Sequence, residues 1–451
     1  MEAIASTGTD GHERALVDQV HERTGTSATG HTDRRIRRRA ARFAAGLVCC
    51  AAALLTAAPL APAQTPPDTL VPIQPPSVFV PVTPVRVFSN VLYQSPSNPF
   101  ETVVALAGQV PENATAVVVN ITALSQIPGY PAGVYACGLR VRTTCKSPFS
   151  TFDSSASNVR SASDLATLAV GADRTLLIGG PPNTTVVGDL LGYYLPAGAT
   201  PTAGRFKPVS PVRVFDSRDG AGALDAGAVT IDLTSRLPAD AAAAVVTLTV
   251  VDRQRDGYVT AFATGSAPPY ISNLLVLAPQ QTISNQAVVQ LQNRSMTVLQ
   301  TGRSDLLVDL AGYYTSNAAA AGTDGLFVPT LDTELYNSFQ NIGLPSDPYS
   351  WVPPQPEAAG STVTAAFTQP IFGPPIAALL LRVDAQLETP GFVNVWGAGT
   401  QPWTTDLFVD TPSGGHTSTV TTGLDGRALH LFLSARGWLR VEANGYFTAA
   451  M

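Results

Sequence analysis

FVPVTPVRVF spans residues 79–88, FKPVSPVRVF spans residues 206–215, and FVPTLDTELY at residues 327–336 matches both without a gap, although it has drifted furthest. A phrase met three times at nearly even spacing makes the chain an array of similar modules. In the middle copy Val212 and Val214 fall on one face of an extended segment and Arg213 on the other. Its prolines carry no amide hydrogen and suit an edge position. The phrase therefore reads as the first strand of a module.

Later matches fill in the rest. TAVVVNITALSQIPGY (115–130), AAVVTLTVVDRQRDGY (243–258) and AALLLRVDAQLETPGF (377–392) are each an apolar run, a polar turn and a Gly-aromatic step. That order predicts a buried strand turning into its hairpin partner. ISNLLVLAPQQTISNQAVVQL (271–291) matches TTDLFVDTPSGGHTSTVTTGL (404–424), with SASNVRSASDLATLAV (155–170) as a shorter relative, and suggests a second strand pair. The copies close on GDLLGYY (188–194), VDLAGYY (308–314) and VEANGYF (441–447). The organisation expected is a leader over 1–63, a Pro-rich segment over 64–76, and modules over 77–197, 204–316 and 325–451. LPAGATPTAG and TSNAAAAGTDG read as linkers between them. The expected fold is all-β, three tandem β-sandwich or jelly-roll-like modules. Because each module opens and closes on an apolar strand, those two strands are expected side by side.

The leader differs in kind. RRIRRRAARF (34–43) precedes AAGLVCCAAALLTAAPL (44–60) and APAQ (61–64), the order of a secretory signal cleaved after Ala63. An uncleaved N-terminal anchor, a lipid-modified Cys49 or Cys50, and twin-arginine export are the alternatives. Residues 1–33 are polar and aperiodic, which raises Val20 as the true start. Removing residues 1–63 leaves 19 basic against 27 acidic residues, a net charge of −8, with Lys146 and Lys207 the only lysines. A phosphate backbone needs clustered cations, so nucleic acid is not an expected partner. After cleavage no transmembrane helix is expected. Cys137 and Cys145 remain, and an oxidising compartment favours their pairing. So short a loop gives about 2.6 kcal/mol in the chain-entropy model.

The PVRVFDSR-like start, the apolar run before Gly-Tyr, the SNL segment and the closing VDLxGYY resemble a repeat of exported bacterial proteins, known from actinobacteria and some other phyla. That repeat usually reads V-D-T-R at its start and V-D-V-x-G-Y-F at its end. The resemblance covers nearly all of the mature chain, and its closing motif is the most specific part. It implies an exported, cell-envelope or extracellular β module, sometimes appended to secreted hydrolases, with no settled activity. Only the middle copy keeps the acidic-hydroxyl-Arg triplet, as Asp216, Ser217 and Arg218; Val85 and Val212 stand where some relatives carry cysteine.

Chemistry-bearing patterns are few. The mature chain has two histidines, His416 and His430, both in the third module and both read as ordinary surface or core residues, so no catalytic set is expected. Neither has a neighbour at ligand spacing, and no metal or cofactor is expected. DSRDGAG (216–222) lacks the alternating oxygens of a calcium loop and reads as a turn. Asp189, Asp309 and Glu442 recur at one place in all three closing motifs, which suits a structural anchor better than a glycosidase pair. Asp309 is expected to accept hydrogen bonds or to pair with Arg213 or Arg218 of the opening strand, and Arg86 is counted with these structural residues. All four tryptophans, Trp351, Trp396, Trp403 and Trp438, lie in the third module. Trp403 aligns with Tyr270, and with Trp396 they are the candidate platforms for a sugar ring. The function expected is a non-catalytic exported structural or adhesive protein of the cell envelope or extracellular space. The alternative is a binder of cell-wall glycan with its site in the third module, the expected partners being that polysaccharide or other envelope proteins.

Overall fold

Each opening phrase becomes the first strand of an eight-stranded sandwich. The structure, a computed structural model, describes residues 71–92, 101–125, 134–141, 144–145, 149–151, 161–180, 184–220, 222–277, 282–339, 355–366, 375–410 and 415–450. The leader and most of the Pro-rich segment lie outside the described residues. Among those described, no helix is long and apolar enough to cross a membrane.

Module 1 comprises β1 (Ser77–Leu92), β2 (Glu101–Ala105), β3 (Ala116–Ser125), β4 (Val134–Cys137), β5 (Arg140–Val141), β6 (Thr144–Cys145), β7 (Phe149–Thr151), β8 (Ser161–Ala169), β9 (Thr175–Gly179) and β10 (Thr184–Pro196). Module 2 comprises β11 (Phe206–Asp216), β12 (Gly227–Asp232), β13 (Ala241–Arg255), β14 (Gly257–Ala263), β15 (Leu274–Val276), β16 (Ile283–Gln290), β17 (Ser295–Gln300) and β18 (Arg303–Thr315). Module 3 comprises β19 (Phe327–Asn337), β20 (Ser361–Ala366), β21 (Ile376–Leu387), β22 (Gly391–Trp396), β23 (Leu407–Val409), β24 (Gly415–Gly423), β25 (Ala428–Leu433) and β26 (Gly437–Thr448).

In module 2 one sheet runs β11-β18-β13-β16 and the other β12-β17-β14-β15. This first-eighth-third-sixth and second-seventh-fourth-fifth order is a jelly roll. Modules 1 and 3 repeat it, and their opening strands touch through the pair Ser77 and Phe327. Among the described residues, module 1 adds β5 and β6, a ribbon of two-residue strands. Opening and closing strands lie side by side and antiparallel in every module.

The third strands explain why their sequences are continuous apolar runs instead of alternating ones. Val117, Val119 and Ile121 of β3 point into the core of module 1, whereas Ala116 and Val118 point to a fourth core shared by all modules. Ala243 and Val245 of β13 and Ala378 and Leu380 of β21 do the same, so these sheets are buried on both faces. The pairings also correct the ungapped sequence match. Tyr194, Tyr314 and Phe447 stand opposite Ala116, Ala243 and Ala378, so module 2 is displaced by one residue from the alignment on the Gly-aromatic step. The extra residue falls where β13 loses register between Val251 and Arg255, near Asp252 with its positive φ of 51°. A one-residue slip in the strand itself would have turned its core residues outward.

The shared core is organised by six rings. Phe79 pairs with Tyr194, Phe206 with Tyr314, and Phe327 with Phe447 across the opening and closing strands. Their centroids form a closed circuit. Within-module neighbours are 5.3, 5.4 and 5.2 Å apart, and the steps Tyr194 to Phe327, Phe447 to Phe206 and Tyr314 to Phe79 are 4.5, 4.5 and 4.4 Å. The glycine of the closing motif makes room for this. A Cβ on Gly192, Gly312 or Gly445 would lie 2.3, 2.4 or 2.5 Å from the ring of the opening phenylalanine. Where module edges meet, β8, β16 and β24 touch one another. Leu165 N donates to Asn285 Oδ1 at 2.9 Å and Thr419 N to Asp164 Oδ1 at 3.1 Å. Edge amides that would otherwise invite another strand are thereby capped by side chains of the next module. Burial holds the Asp164 carboxyl well above the usual carboxylate range.

The two linkers are pinned. Gly204 and Gly325, at φ of 75° and 82°, accept from Phe79 N and Phe206 N at 2.8 Å each, while their own amides reach the ends of β18 and β26. Arg205, almost fully buried, ties the second linker down through Asp324 Oδ1 at 2.5 Å. The modules consequently form one packed array around the rings.

Phe327→Ala removes a fully buried ring that joins modules 1 and 3. It is expected to cost about 3–5 kcal/mol, and calorimetry of the unaltered chain is expected to show one cooperative transition. Three separable transitions would contradict the shared core.

Candidate functional site

The recurring acid sits in the joints between modules. Arg86 Nε meets Asp189 Oδ1 at 2.9 Å. Arg213 grips Asp309 with two bonds, Nε to Oδ1 at 2.6 Å and Nη2 to Oδ2 at 3.0 Å. Each pair faces itself across the opening and closing strands. Arg218, the other partner weighed for Asp309, binds Asp216 instead, and together with Arg213 it brings that carboxyl down to about 2. The DSRDGAG segment is therefore a one-turn 3₁₀ helix, Ser217–Asp219, capped by Asp216.

The second oxygen of each acid receives the neighbouring module. Ser272 N donates to Asp189 Oδ2 at 3.3 Å, and Thr405 N to Asp309 Oδ2 at 3.2 Å. Three residues on, Leu275 N donates to Ser163 Oγ at 3.2 Å and Phe408 N to Ser284 Oγ at 3.1 Å. Segments around β15 and β23 are thus seated alike on modules 1 and 2. Burial raises the Asp309 carboxyl even though Arg213 opposes the shift, so removing one partner of this pair costs about 3–5 kcal/mol.

Module 3 departs from this scheme. Glu334 stands where the other modules have arginine and faces Glu442 directly. The cations come from other strands: Arg382 Nη1 lies 3.3 Å from Glu442 Oε2, Arg440 Nε lies 2.9 Å from Glu334 Oε1, and Arg440 also bonds Glu442. Burial raises Glu442, with Arg382 and Arg440 opposing. Beside this network lies a cleft of about 460 Å³ lined by Arg382, Asp384, Gln386, His416 and Arg440, with Phe339 also in its wall. Thr417 Oγ1 donates to Asp384 Oδ1 at 2.6 Å, and His416 Nε2 lies 3.6 Å from Asp410 Oδ1. Phe339 stacks on Trp438 with centroids 4.7 Å apart and planes 15° from parallel.

The aromatic residues singled out in the sequence separate. Trp403 is 95% exposed and Tyr270 74%. Trp396, by contrast, is only 4% exposed, its indole N–H donating to Gly399 O at 3.3 Å and its ring against His430. It lies on the face of β22 opposite Val393 and Val395, which fill the module 3 core, and is covered there by His430 and by the turn that follows the strand. It offers no platform. Trp351 lies outside the described residues. His430 Nδ1 is 3.1 Å from Thr364 Oγ1, the ordinary contact of directly opposed residues on β20 and β25. Cys137 is buried and disulfide-bonded, while the side chain of Cys145 lies outside the described residues. Among the described residues no group of three or more His, Cys, Asp or Glu is placed to hold a metal ion.

No family model matches the chain, and no curated protein does. Two solved structures share a weak likeness. One, described as the triple jelly roll fold and turret assembly in an archaeal virus, is 11% identical with a TM-score of 0.16, over 81% of this chain and 91% of that one. The other, the atomic structure of Sulfolobus turreted icosahedral virus, is 10% identical with a TM-score of 0.15, over 81% and 92%. Scores this low carry nothing about function.

The β23 seat yields a pH test. Val395 N donates to Asp406 Oδ2 at 2.7 Å, and burial, with Asp309 nearby, pushes the Asp406 carboxyl up to about 7. Unfolded, its pKa is near 4. Between those values the unfolded chain has released a proton that the folded chain retains, so this group's contribution to stability falls as pH rises from about 4 to about 7. Each unit of displacement is worth about 1.4 kcal/mol. Module 2 carries Asn273 in the matching place, where Asn273 Oδ1 accepts from Ala261 N at 2.7 Å. Asp406→Asn is accordingly expected to raise the melting temperature at pH 8, with the gain shrinking toward pH 4. A gain that does not change with pH would count against the assignment.

Proposed function

We propose that the chain is a non-catalytic exported protein with a structural or adhesive role in the cell envelope or extracellular space. The observation that carries this reading is the use made of the recurring acid. Asp189 and Asp309 are spent on joining modules, each held by an arginine and a neighbouring backbone amide. The most repeated polar feature of the sequence is thus construction. Pinned linkers and a shared core suit a rigid spacer or scaffold better than a flexible string. The leader, with its cationic patch, apolar run and small residues before Gln64, supports export.

A second reading, glycan binding through module 3, is favoured by one observation. The polar cleft with an aromatic wall lies in that module, the one that has diverged most from the other two.

Fractionation of cells making the full chain tests the address. The protein is expected in the envelope or medium with an N-terminus at Gln64. Recovery from the cytosol with residues 1–63 attached would contradict export, and recovery from membranes with them attached would favour the anchor. Retention of the purified protein on isolated cell wall, reduced by soluble wall polysaccharide, is the result expected of an adhesive role.

A further inference from the structure

Three positions around the cleft changed chemistry in module 3. Arg382 stands on β21 where β3 has Asn120 and β13 has Thr247; Asp384 stands where they have Thr122 and Thr249. Arg440 on β26 faces Asn337 as Val187 faces Ser89 in module 1 and Leu307 faces Asp216 in module 2. Modules 1 and 2 keep neutral side chains at these positions and hold their closing acid with one opening-strand arginine, whereas module 3 answers Glu442 and Glu334 with two arginines and adds Asp384, a carboxylate that joining the strands does not call for. Half-burying them has a desolvation cost that packing gains do not repay. Charges retained at such a cost, in a cleft, are a mark of a binding site.

The face concerned also has a known use elsewhere in the molecule. In module 1 it seats Ser272–Leu275 of module 2, where Asn120 Nδ2 donates to Ser272 O at 2.6 Å and Ser163 Oγ accepts from Leu275 N. The residues in the same places on module 3, Arg382 and Thr417, line the cleft. On module 3 strand β7 of module 1 lies against β24, and the sheet face beside it leaves a pocket of about 460 Å³, inside the usual range for small-molecule sites.

The chemistry of the lining selects a class of occupant. Both arginines of the lining are already paired, Arg382 with Asp384 and Glu442 and Arg440 with Glu334 and Glu442, so neither leaves a surplus charge for a phosphate, sulfate or carboxylate. The network is also cross-braced, with Arg382 Nη2 bonded to Asp384 Oδ2 at 2.9 Å and Thr417 holding the same carboxylate. Planar donors and acceptors fixed in place, beside the Phe339 ring stacked on Trp438, match a ligand with hydroxyls around its edge and a C–H face.

We propose that this cleft binds a neutral glycosyl unit, its hydroxyls on Asp384, Gln386 and Arg440 and its C–H face on Phe339. The proposal rests on the glycan-binding reading and adds the site and the ligand charge. Titration calorimetry of the full mature chain with neutral hexose and pentose oligosaccharides, set against uronate-containing and sulfated ones, tests it. The half-exposed Phe339 and Gln386 are replaced in turn by Ala, with Trp403→Ala as the comparison. Neutral oligosaccharides are expected to bind, Phe339→Ala and Gln386→Ala to weaken them at least tenfold with unchanged melting temperature, and Trp403→Ala to leave affinity intact. Binding kept in both cleft variants but lost in Trp403→Ala would overturn the cleft and leave glycan binding standing. Preference for the acidic oligosaccharides would overturn the neutral ligand, and no binding by the unaltered chain would overturn cleft and glycan reading together.

Discussion

A phenylalanine ring laid across a glycine is the contact on which the architecture depends. In each module the opening phrase supplies the ring and the closing motif the glycine, and any Cβ there would fall inside the ring's van der Waals envelope. The contact fixes the register of the two strands that begin and end the module. Because the ring is thereby pushed to the outer face of the sheet, three such rings and their closing partners meet each other. One local steric fit thus sets both the closure of each sandwich and the packing of all three.

Much of this was legible because it is written in repeats. The opening phrase, the Gly-aromatic hairpin and the closing motif located the main strands and set the first and last of each module side by side. The arginine of the phrase was one of two partners open to the acid of the motif, and the structure uses it in modules 1 and 2. What stayed hidden depends on distance in space. The ungapped match could not show that β13 runs one residue out of step, because its extra residue is absorbed at the strand's end. Gly204 and Gly325 read as linker residues, although both are hydrogen-bonded into the shared core.

The site was the harder part. Trp396 and Trp403 look alike in sequence, yet one is covered by His430 and the turn after its strand and the other stands in solvent. The residues of the cleft were passed over because Arg382, Asp384 and Arg440 are single charges on separate strands, and only strand pairing brings them together. A signal was nonetheless present. Once the third strands are aligned by their pairing, an arginine and an aspartate replace neutral residues at two positions on one face, in one module only.

Joining the three modules in one chain permits an arrangement that three identical chains could not adopt. On the inner side of the six rings, the Tyr194 and Tyr314 hydroxyls lie 2.6 Å apart, while Phe447 holds the corresponding position without one. A symmetric assembly of separate subunits must place either three hydroxyls at its centre or none. A single polypeptide can hold two, and two suffice to satisfy each other in a space that admits little else. Covalent linkage has freed the centre of this molecule from its own symmetry.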